Sequence, residues 1–244
     1  MKIVVFLFLL INALFGFTKI ADYDVEYGWF KELGDAKAAL VVNGQNYHIK
    51  IEAKTNGLAK LLSRNRQETY ESFGKVTKNG YLPTKFTQLK QYSDKIERTT
   101  YIFDHAAKKI TKTKESYEDG ELIDKSVEPN KYYADNDILT LYFNISDEFR
   151  GMKPGSQKVY HAVGANPKDG RVDLIVPNGE RLQEIKEAFK GVSAASYVVV
   201  YINQKIFSSD RGELWIAFND KNECETAALK DVILFGDIKG ILKK

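Results

Sequence analysis

Strict alternation of apolar and polar residues is the pattern that most limits how this 244-residue chain can fold. After residue 20, runs such as Tyr23–Trp29 and Tyr47–Lys54 place apolar side chains on one face and polar side chains on the other. This period of two is typical of β-strands with one buried face. Turn-forming dipeptides separate the runs, at Asn43-Gly44, Asn79-Gly80 and Asp119-Gly120. Short turns of this kind join antiparallel neighbours, because parallel strands need long crossovers.

A long antiparallel meander tends to curl, because closing a sheet removes its exposed edges. We therefore expect a mainly β fold, an antiparallel meander curled into a barrel or half-barrel with one to three short helices. One helix is expected over Asp137–Phe149, capped by Asn136 or Asp137, and another near Gly57. Arg181–Lys190 suits either a helix or a strand. The run Tyr197–Ile202 is apolar on both faces, which indicates a central strand covered on both sides.

The first 17 residues have the form of an export signal. Lys2 precedes an apolar run from Ile3 to Phe17, with the small residues Ala13 and Gly16 near its end. The run is shorter than the roughly 20 apolar residues of a bilayer span. We expect a signal peptide over residues 1–17, with Gly16 as the best-fitting cleavage point, and a single β-rich domain over residues 18–244. The alternative is an uncleaved membrane anchor. Export predicts a periplasmic protein whose mature form does not span the membrane.

Charge and cysteine content exclude several classes of function. The chain has 36 Lys and Arg against 33 Asp and Glu, and a formal net charge of +3 is too small for a nucleic-acid binder. The single cysteine, Cys224, cannot form an intramolecular disulfide, so stability must come from an ordinary core. Its neighbours Glu223 and Glu225 oppose thiolate formation, which favours an incidental residue over a reactive thiol.

Motifs for catalysis, metals and cofactors are absent from the sequence. His48, His105 and His161 lie in separate segments without the spacing of metal ligands. No nucleophile elbow, phosphate-binding loop or dinucleotide fingerprint occurs. Asp135 and Asp137 resemble the start of a calcium loop, but the required Gly and Glu do not follow, so we interpret them as helix-capping acids. We expect no enzyme, no metal and no cofactor, with a hydrolase using scattered carboxylates as the third hypothesis.

The aromatic content suggests a binding surface. The chain has 14 Tyr, 14 Phe and 2 Trp, and aromatic rings with a polar end suit the lining of a concave sheet. The alternative is that these rings form cross-strand pairs in the core. If they bind a ligand, the candidate residues are Tyr23, Tyr27, Trp29, Tyr47, Tyr101, Phe103 and Trp215.

The chain resembles a known bacterial family of exported proteins, catalogued as domain of unknown function 3108. The ordered segments that carry the resemblance are Tyr23–Tyr27, Gly57–Leu62, Tyr81–Phe86, Tyr101–Asp104, Gly212–Asp220 and Phe235–Leu242. The chain departs from the family pattern around Asn222–Leu229, where Cys224–Ala228 stands in place of a Pro-containing strand entry. The resemblance implies a secreted, mostly β protein with helices packed at one side. It supplies no catalytic residues.

Two hypotheses of different classes follow. The first is a non-catalytic binding protein for an apolar or lipid-like small molecule, or a factor for envelope maintenance. The second is an envelope scaffold that contacts another protein through a sheet edge or through the helix after Asp137. An open apolar cavity would favour the first hypothesis, and a filled core would favour the second.

Overall fold

The protein is mainly β, as the alternation predicts. The structure is a computed structural model that describes residues 16–27, 30–56, 65–146, 148–202, 212–232 and 236–244. Its strands are β1 (Phe17–Tyr27), β2 (Phe30–Asn43), β3 (Asn46–Thr55), β4 (Gln67–Thr77), β5 (Gly80–Tyr92), β6 (Lys95–Asp104), β7 (Lys109–Glu118), β8 (Glu121–Pro129), β9 (Asn136–Asp137), β10 (Gln157–Val163), β11 (Arg171–Ile175), β12 (Ser196–Tyr201), β13 (Glu213–Phe218), β14 (Cys224–Val232) and β15 (Gly236–Leu242).

The strands form one sheet in the order β8-β7-β6-β5-β4-β3-β2-β1-β15-β14-β13-β12-β11-β10-β9. Neighbours are antiparallel except for the short parallel pair of β9 and β10. The first and last strands meet in the middle of the sheet, where Tyr23 is opposite Leu242. The antiparallel meander predicted from the sequence is therefore confirmed, and the pairing of β1 with β15 joins its N-terminal and C-terminal parts into one open sheet.

Turn chemistry explains the hairpins. Asp119 and Gly120 have φ values of +52° and +82°, as a tight two-residue hairpin turn requires at both central positions. At Asn79-Gly80 the turn lies one residue earlier than expected. Lys78 and Asn79 form it, and Gly80 begins β5 with φ +108°. At Asn43-Gly44 the turn lies one residue later, at Gly44 and Gln45, so all three dipeptides reverse the chain but only Asp119-Gly120 supplies both central residues.

The sheet curls but is not closed, so a complete barrel is not found. Its order ends at β8 on one side and at β9 on the other. One core cluster joins Leu40 and Ile49, of β2 and β3, to Val163 of β10. The distant halves of the sheet therefore share an inner face, and this is where most of the core lies.

Among the described residues, two α-helices occupy opposite faces of the sheet. Helix α1 (Ile138–Ile145) follows the N-cap Asp137, one of the two predicted caps, but it ends four residues before the predicted Phe149, where a separate 3₁₀ turn begins (Phe149–Gly151). Helix α2 (Gly179–Ala188) covers most of the ambiguous Arg181–Lys190 segment. Helix α1 contacts β4, β5, β9 and β10 on the inner face. From α2, Ile185 packs with Val199 of β12 on the outer face.

Strand β12 is covered on both sides, as its apolar run predicts. Val198 and Val200 belong to the inner core beside α1, whereas Val199 lies under α2. Near the departure from the family pattern, the pairing of β13 with β14 shifts register between Ala217 and Phe218.

Some expectations fall outside the described residues. These are most of the signal peptide, the aromatic Trp29 and the helix near Gly57. In the part of the chain that is described, no helix has the length and apolar character needed to cross a bilayer.

Candidate functional site

An apolar cavity of about 80 Å³ lies between α1 and the inner face of β11–β13. Leu141 and Tyr142 border it from α1, and Val198, Ile216 and Phe218 border it from the sheet. Sites for drug-sized ligands usually measure about 300–1,000 Å³. The cavity therefore has room for a small apolar group with α1 in place, and a larger ligand requires α1 to move.

Polar contacts hold α1 at its C-terminal half. The Asn144 side chain accepts a hydrogen bond from the Tyr81 backbone N–H at 2.8 Å and donates one to the Tyr81 carbonyl at 2.7 Å. Its amide therefore pairs with β5 as a neighbouring strand would. Just after the helix, Asn222 donates to the Ser146 carbonyl at 2.8 Å. These contacts tie α1 to both halves of the sheet.

A buried carboxylate holds the N-terminal end of α1. Oδ1 of Asp137 accepts hydrogen bonds from the backbone N–H groups of Leu139 and Thr140, both at 2.9 Å. Its Oδ2 accepts from the Ser72 hydroxyl of β4 at 2.5 Å, and Ser72 is 3.0 Å from the Tyr47 hydroxyl. Burial is the main cause of a raised Asp137 pKa, and the hydrogen bond from Ser72 opposes it. The helix start is thus fixed to β4 through a single side chain.

Ser72→Ala is expected to lower the free energy of unfolding by about 1–3 kcal/mol, because it removes a hydrogen bond to the fully buried Asp137 carboxyl group. Urea unfolding measures the change. The control is Ser126→Ala on the exposed strand β8, which should change stability by less than about 0.5 kcal/mol. Equal effects of the two substitutions would contradict the role given to Ser72.

Three of the aromatic residues proposed from the sequence lie together in the core. Tyr47, Tyr101 and Phe103 belong to one buried cluster on the inner face. The ring of Tyr47 meets Tyr81 edge to face at 5.1 Å between centroids. Burial raises the pKa of Tyr101 to about 12. Tyr101 stacks with Phe86 and Phe103 stacks with His105, so these three rings are part of the packed inner core, and their role in ligand binding stays a prediction.

The other proposed residues lie elsewhere. Trp215 is 1% exposed and packs on the outer face with Phe189, which follows α2. The ring centroid of Trp215 lies 4.8 Å from Cζ of Arg181 and 4.4 Å from Nζ of Lys230. The Tyr23 hydroxyl donates to the Cys224 carbonyl at 3.0 Å, and Tyr27 pairs with β15. Trp215 therefore does not share a surface with the inner-face rings.

The sequence reasoning missed the residues that border the apolar cavity. Two signals could have indicated them: the doubly apolar run of β12, and the six apolar residues among the eight of Ile138–Ile145. Only Thr140 and Asn144, one turn apart, interrupt the apolar surface of this helix, and a helix with so wide an apolar surface is normally buried. Together these signals place α1 against a covered strand.

Cys224, His48 and His105 have structural contacts. Burial raises the pKa of the Cys224 thiol to about 12, so the thiolate is disfavoured mainly by burial, with Glu225 adding to the effect. Nε2 of His48 is 3.0 Å from Oε1 of Glu71. Nδ1 of His105 contacts the Tyr133 hydroxyl, and its Nε2 contacts the Pro83 carbonyl. Within the described ranges, no group of three or more His, Cys, Asp or Glu side chains is placed to hold a metal.

A second cavity, of about 840 Å³, is bordered by β1–β4 and the C-terminal residues. Its lining mixes both signs of charge, and Lys243 bonds Asp24 at 2.8 Å and Asp35 at 2.7 Å. Hydrogen bonds from Lys243 and Asn56 lower the Asp35 pKa, which is opposite to the shift that a general acid needs. Asp24 and Asp35 are thus both paired with Lys243, and this cavity is chemically unlike the apolar one.

Comparison with known proteins agrees with the resemblance seen in the sequence. The model of a family described as "Protein of unknown function (DUF3108)" matches residues 22–242, which is nearly all of the described strands. Neither a curated protein nor a solved structure matches the chain. The chain belongs to the DUF3108 family.

Proposed function

We propose that this chain is a non-catalytic, exported binding protein that holds an apolar or lipid-like molecule between α1 and the inner face of β11–β13. The observation that carries the proposal is the apolar cavity beneath α1, bordered by Leu141, Val198 and Ile216. The unclosed sheet supports it, because α1 can leave such a sheet at the cost of only the short β9–β10 pairing at its start. The energetic reason for binding is the removal of ligand apolar surface from water.

Native mass spectrometry of the protein purified from its own cells tests the proposal. A reproducible mass excess that organic extraction removes is expected. The same measurement tests export, because the intact mass shows whether the segment ending near Gly16 has been removed. A protein recovered from the periplasm without any added mass, and which takes up no apolar probe, would contradict the binding function.

Val198→Leu is expected to fill part of the cavity. It should raise the free energy of unfolding by up to about 1 kcal/mol and reduce the bound apolar mass. Thermal unfolding and native mass spectrometry measure the two effects. Val127→Leu, on the exposed strand β8, adds the same methylene away from the cavity and should change neither. Undiminished binding in Val198→Leu would place the ligand elsewhere.

The second candidate function, an envelope scaffold, is favoured by strand β8. It is one edge of the sheet, and every one of its nine residues is exposed. Leu122, Ile123 and Val127 are 50%, 58% and 62% exposed. An open edge can pair with an extended segment of another protein. The face of α1 does not serve this purpose in the described structure, because Asp137 and Leu141 are buried.

Photo-crosslinking in cells tests the scaffold. A photoreactive residue at Ile123 or Val127 should capture the same protein repeatedly, and one at Ile20, which is 57% exposed on β1, should not. Failure to recover a reproducible partner from either β8 position would remove this candidate.

A further inference from the structure

Asp137 is a buried acid, and no cationic group of the described residues faces it. The side chain is 0% exposed. Facing it are the Ser72 hydroxyl from β4, the Tyr47 hydroxyl from β3 beyond Ser72, and the Thr140 side chain and two backbone N–H groups of α1. Tyr47 is the titratable member of this set, and burial raises its pKa, so it is neutral at ordinary pH. Hydroxyls and amides alone therefore stabilise the ionised carboxylate.

An ionised carboxylate in this position is costly, since hydrogen bonds replace only part of its hydration. An N-cap does not require a charge, because Asn or Ser caps a helix about as well as Asp. The acid therefore adds a pH-dependent penalty to the seating of α1 that a neutral cap would avoid.

We propose that Asp137 is a charge-controlled anchor of α1, and that its ionisation favours a state in which α1 leaves the inner face and the apolar cavity opens. This inference rests on the proposed binding function and names how the same site is regulated. The position of α1 on the inner face is most stable when the Asp137 carboxyl group is protonated. The released helix exposes the carboxylate to water and lets it ionise freely.

The sign follows from proton linkage. The Asp137 pKa is raised above 3.8 in the closed state, mainly by burial, and returns to its ordinary value once the side chain is hydrated. The closed state therefore binds the proton more tightly than the open state does. At pH values below both pKa values, Asp137 is protonated in both states, and the closed state then has its full stability relative to the open state. As pH rises from 3.8 to the raised value, the equilibrium shifts toward opening by at most about tenfold per pH unit.

Amide hydrogen exchange tests the anchor without a ligand. After correction for the intrinsic pH dependence of exchange, protection of Ile138–Ile145 is expected to fall as pH rises from about 4 to about 8. Protection of α2, Gly179–Ala188, should stay constant. In Asp137→Asn the protection of α1 should be high and independent of pH. A pH dependence of α1 that persists unchanged in this variant would overturn the proposal.

A matched control uses another buried acid. The Arg171 guanidinium donates to Asp173 of β11 twice, from Nε to Oδ2 at 2.8 Å and from Nη2 to Oδ1 at 2.6 Å. The charge of Asp173 is therefore compensated. Asp173→Asn should keep the pH dependence of wild-type α1. If Asp137→Asn does not fold, Asp137→Ser, a smaller neutral cap, serves the same test. Loss of the α1 pH dependence in Asp173→Asn would assign the effect to general electrostatics and overturn the anchor.

Binding of Nile red, an uncharged apolar dye, separates this inference from the proposed function. Wild-type binding should increase with pH over the same window, and Asp137→Asn should bind weakly at every pH. If α1 opens with rising pH but no dye binds at any pH, the anchor stands and the binding function fails. If dye binds equally at every pH while α1 protection does not change, the binding function stands and the anchor fails.

Discussion

Trp215→Ala is expected to lower the free energy of unfolding by about 3–5 kcal/mol while leaving apolar ligand binding unchanged. The indole is fully buried on the outer face, where it packs with Phe189 and lies beside two cations. Its Nε1 donates to Glu213 at 2.6 Å. The substitution creates a void under α2, on the opposite side of β13 from the cavity.

Phe218→Ala on the same strand is the matched variant. Phe218 is also 1% exposed, but it faces inward and contacts Phe149, with ring centroids 4.7 Å apart. A similar loss of stability, about 3–5 kcal/mol, is expected together with a larger apolar cavity and increased uptake of an apolar dye. Urea unfolding and dye titration measure both variants. Increased uptake by Trp215→Ala, or none by Phe218→Ala, would contradict the assignment of the site to the inner face.

Gly164→Ala is expected to lower the free energy of unfolding by about 2–4 kcal/mol, combining backbone strain with a steric clash. Gly164 has φ +90°, and a Cβ there would lie 2.7 Å from Cε1 of Phe86. Phe86 belongs to β5, in the other half of the sheet. The substitution therefore probes the curl that brings the turn after β10 against the inner face of β5.

Gly120→Ala is the control for the backbone part of that effect. Gly120 has φ +82°, but a Cβ there meets nothing within 4 Å. Gly120→Ala is therefore expected to lower the free energy of unfolding by only about 1 kcal/mol, the cost of the positive φ for alanine. Both variants are measured by urea unfolding at the same pH. Equal losses at the two positions would mean that β10 and β5 do not approach as closely as described.

Local features of the fold were accessible from the sequence because they depend on local chemistry. Asp119-Gly120 forms a tight turn because both residues tolerate positive φ. Asp137 begins α1 because its side chain satisfies two free N–H groups. The double coverage of β12 followed from apolar residues at successive positions, Val198–Val200.

Long-range relations were not accessible in the same way. Alternation shows which residues of one strand share a face, but it does not show which face of the sheet is the inner one. Tyr47 and Trp215 were therefore grouped together, although Tyr47 lies beside Ser72 within the curl and Trp215 lies under α2. The pairing of β1 with β15 likewise joins residues more than 200 positions apart, such as Tyr23 and Leu242. No local pattern specifies such a contact.

The ambiguity of Arg181–Lys190 has a similar origin. Over so short a segment its apolar residues, among them Ile185, fit both the helical period of about 3.6 residues and the strand period of two. The outer face of β12–β14 decides the outcome, because Val199, Trp215 and Ala228 form an apolar surface that a helix can cover. The helical conformation is therefore a consequence of tertiary packing.

Methyl NMR under xenon pressure tests the central claim, that the apolar site lies between α1 and the inner face. Xenon enters dry apolar cavities, and its contact shifts nearby methyl signals. Signals of Leu141, Val198 and Ile216 are expected to shift in a saturable manner. Those of Ile185, Val199 and Ala217, on the outer face, should not shift. Saturable shifts confined to the outer-face methyl groups, or none at the cavity, would contradict the account.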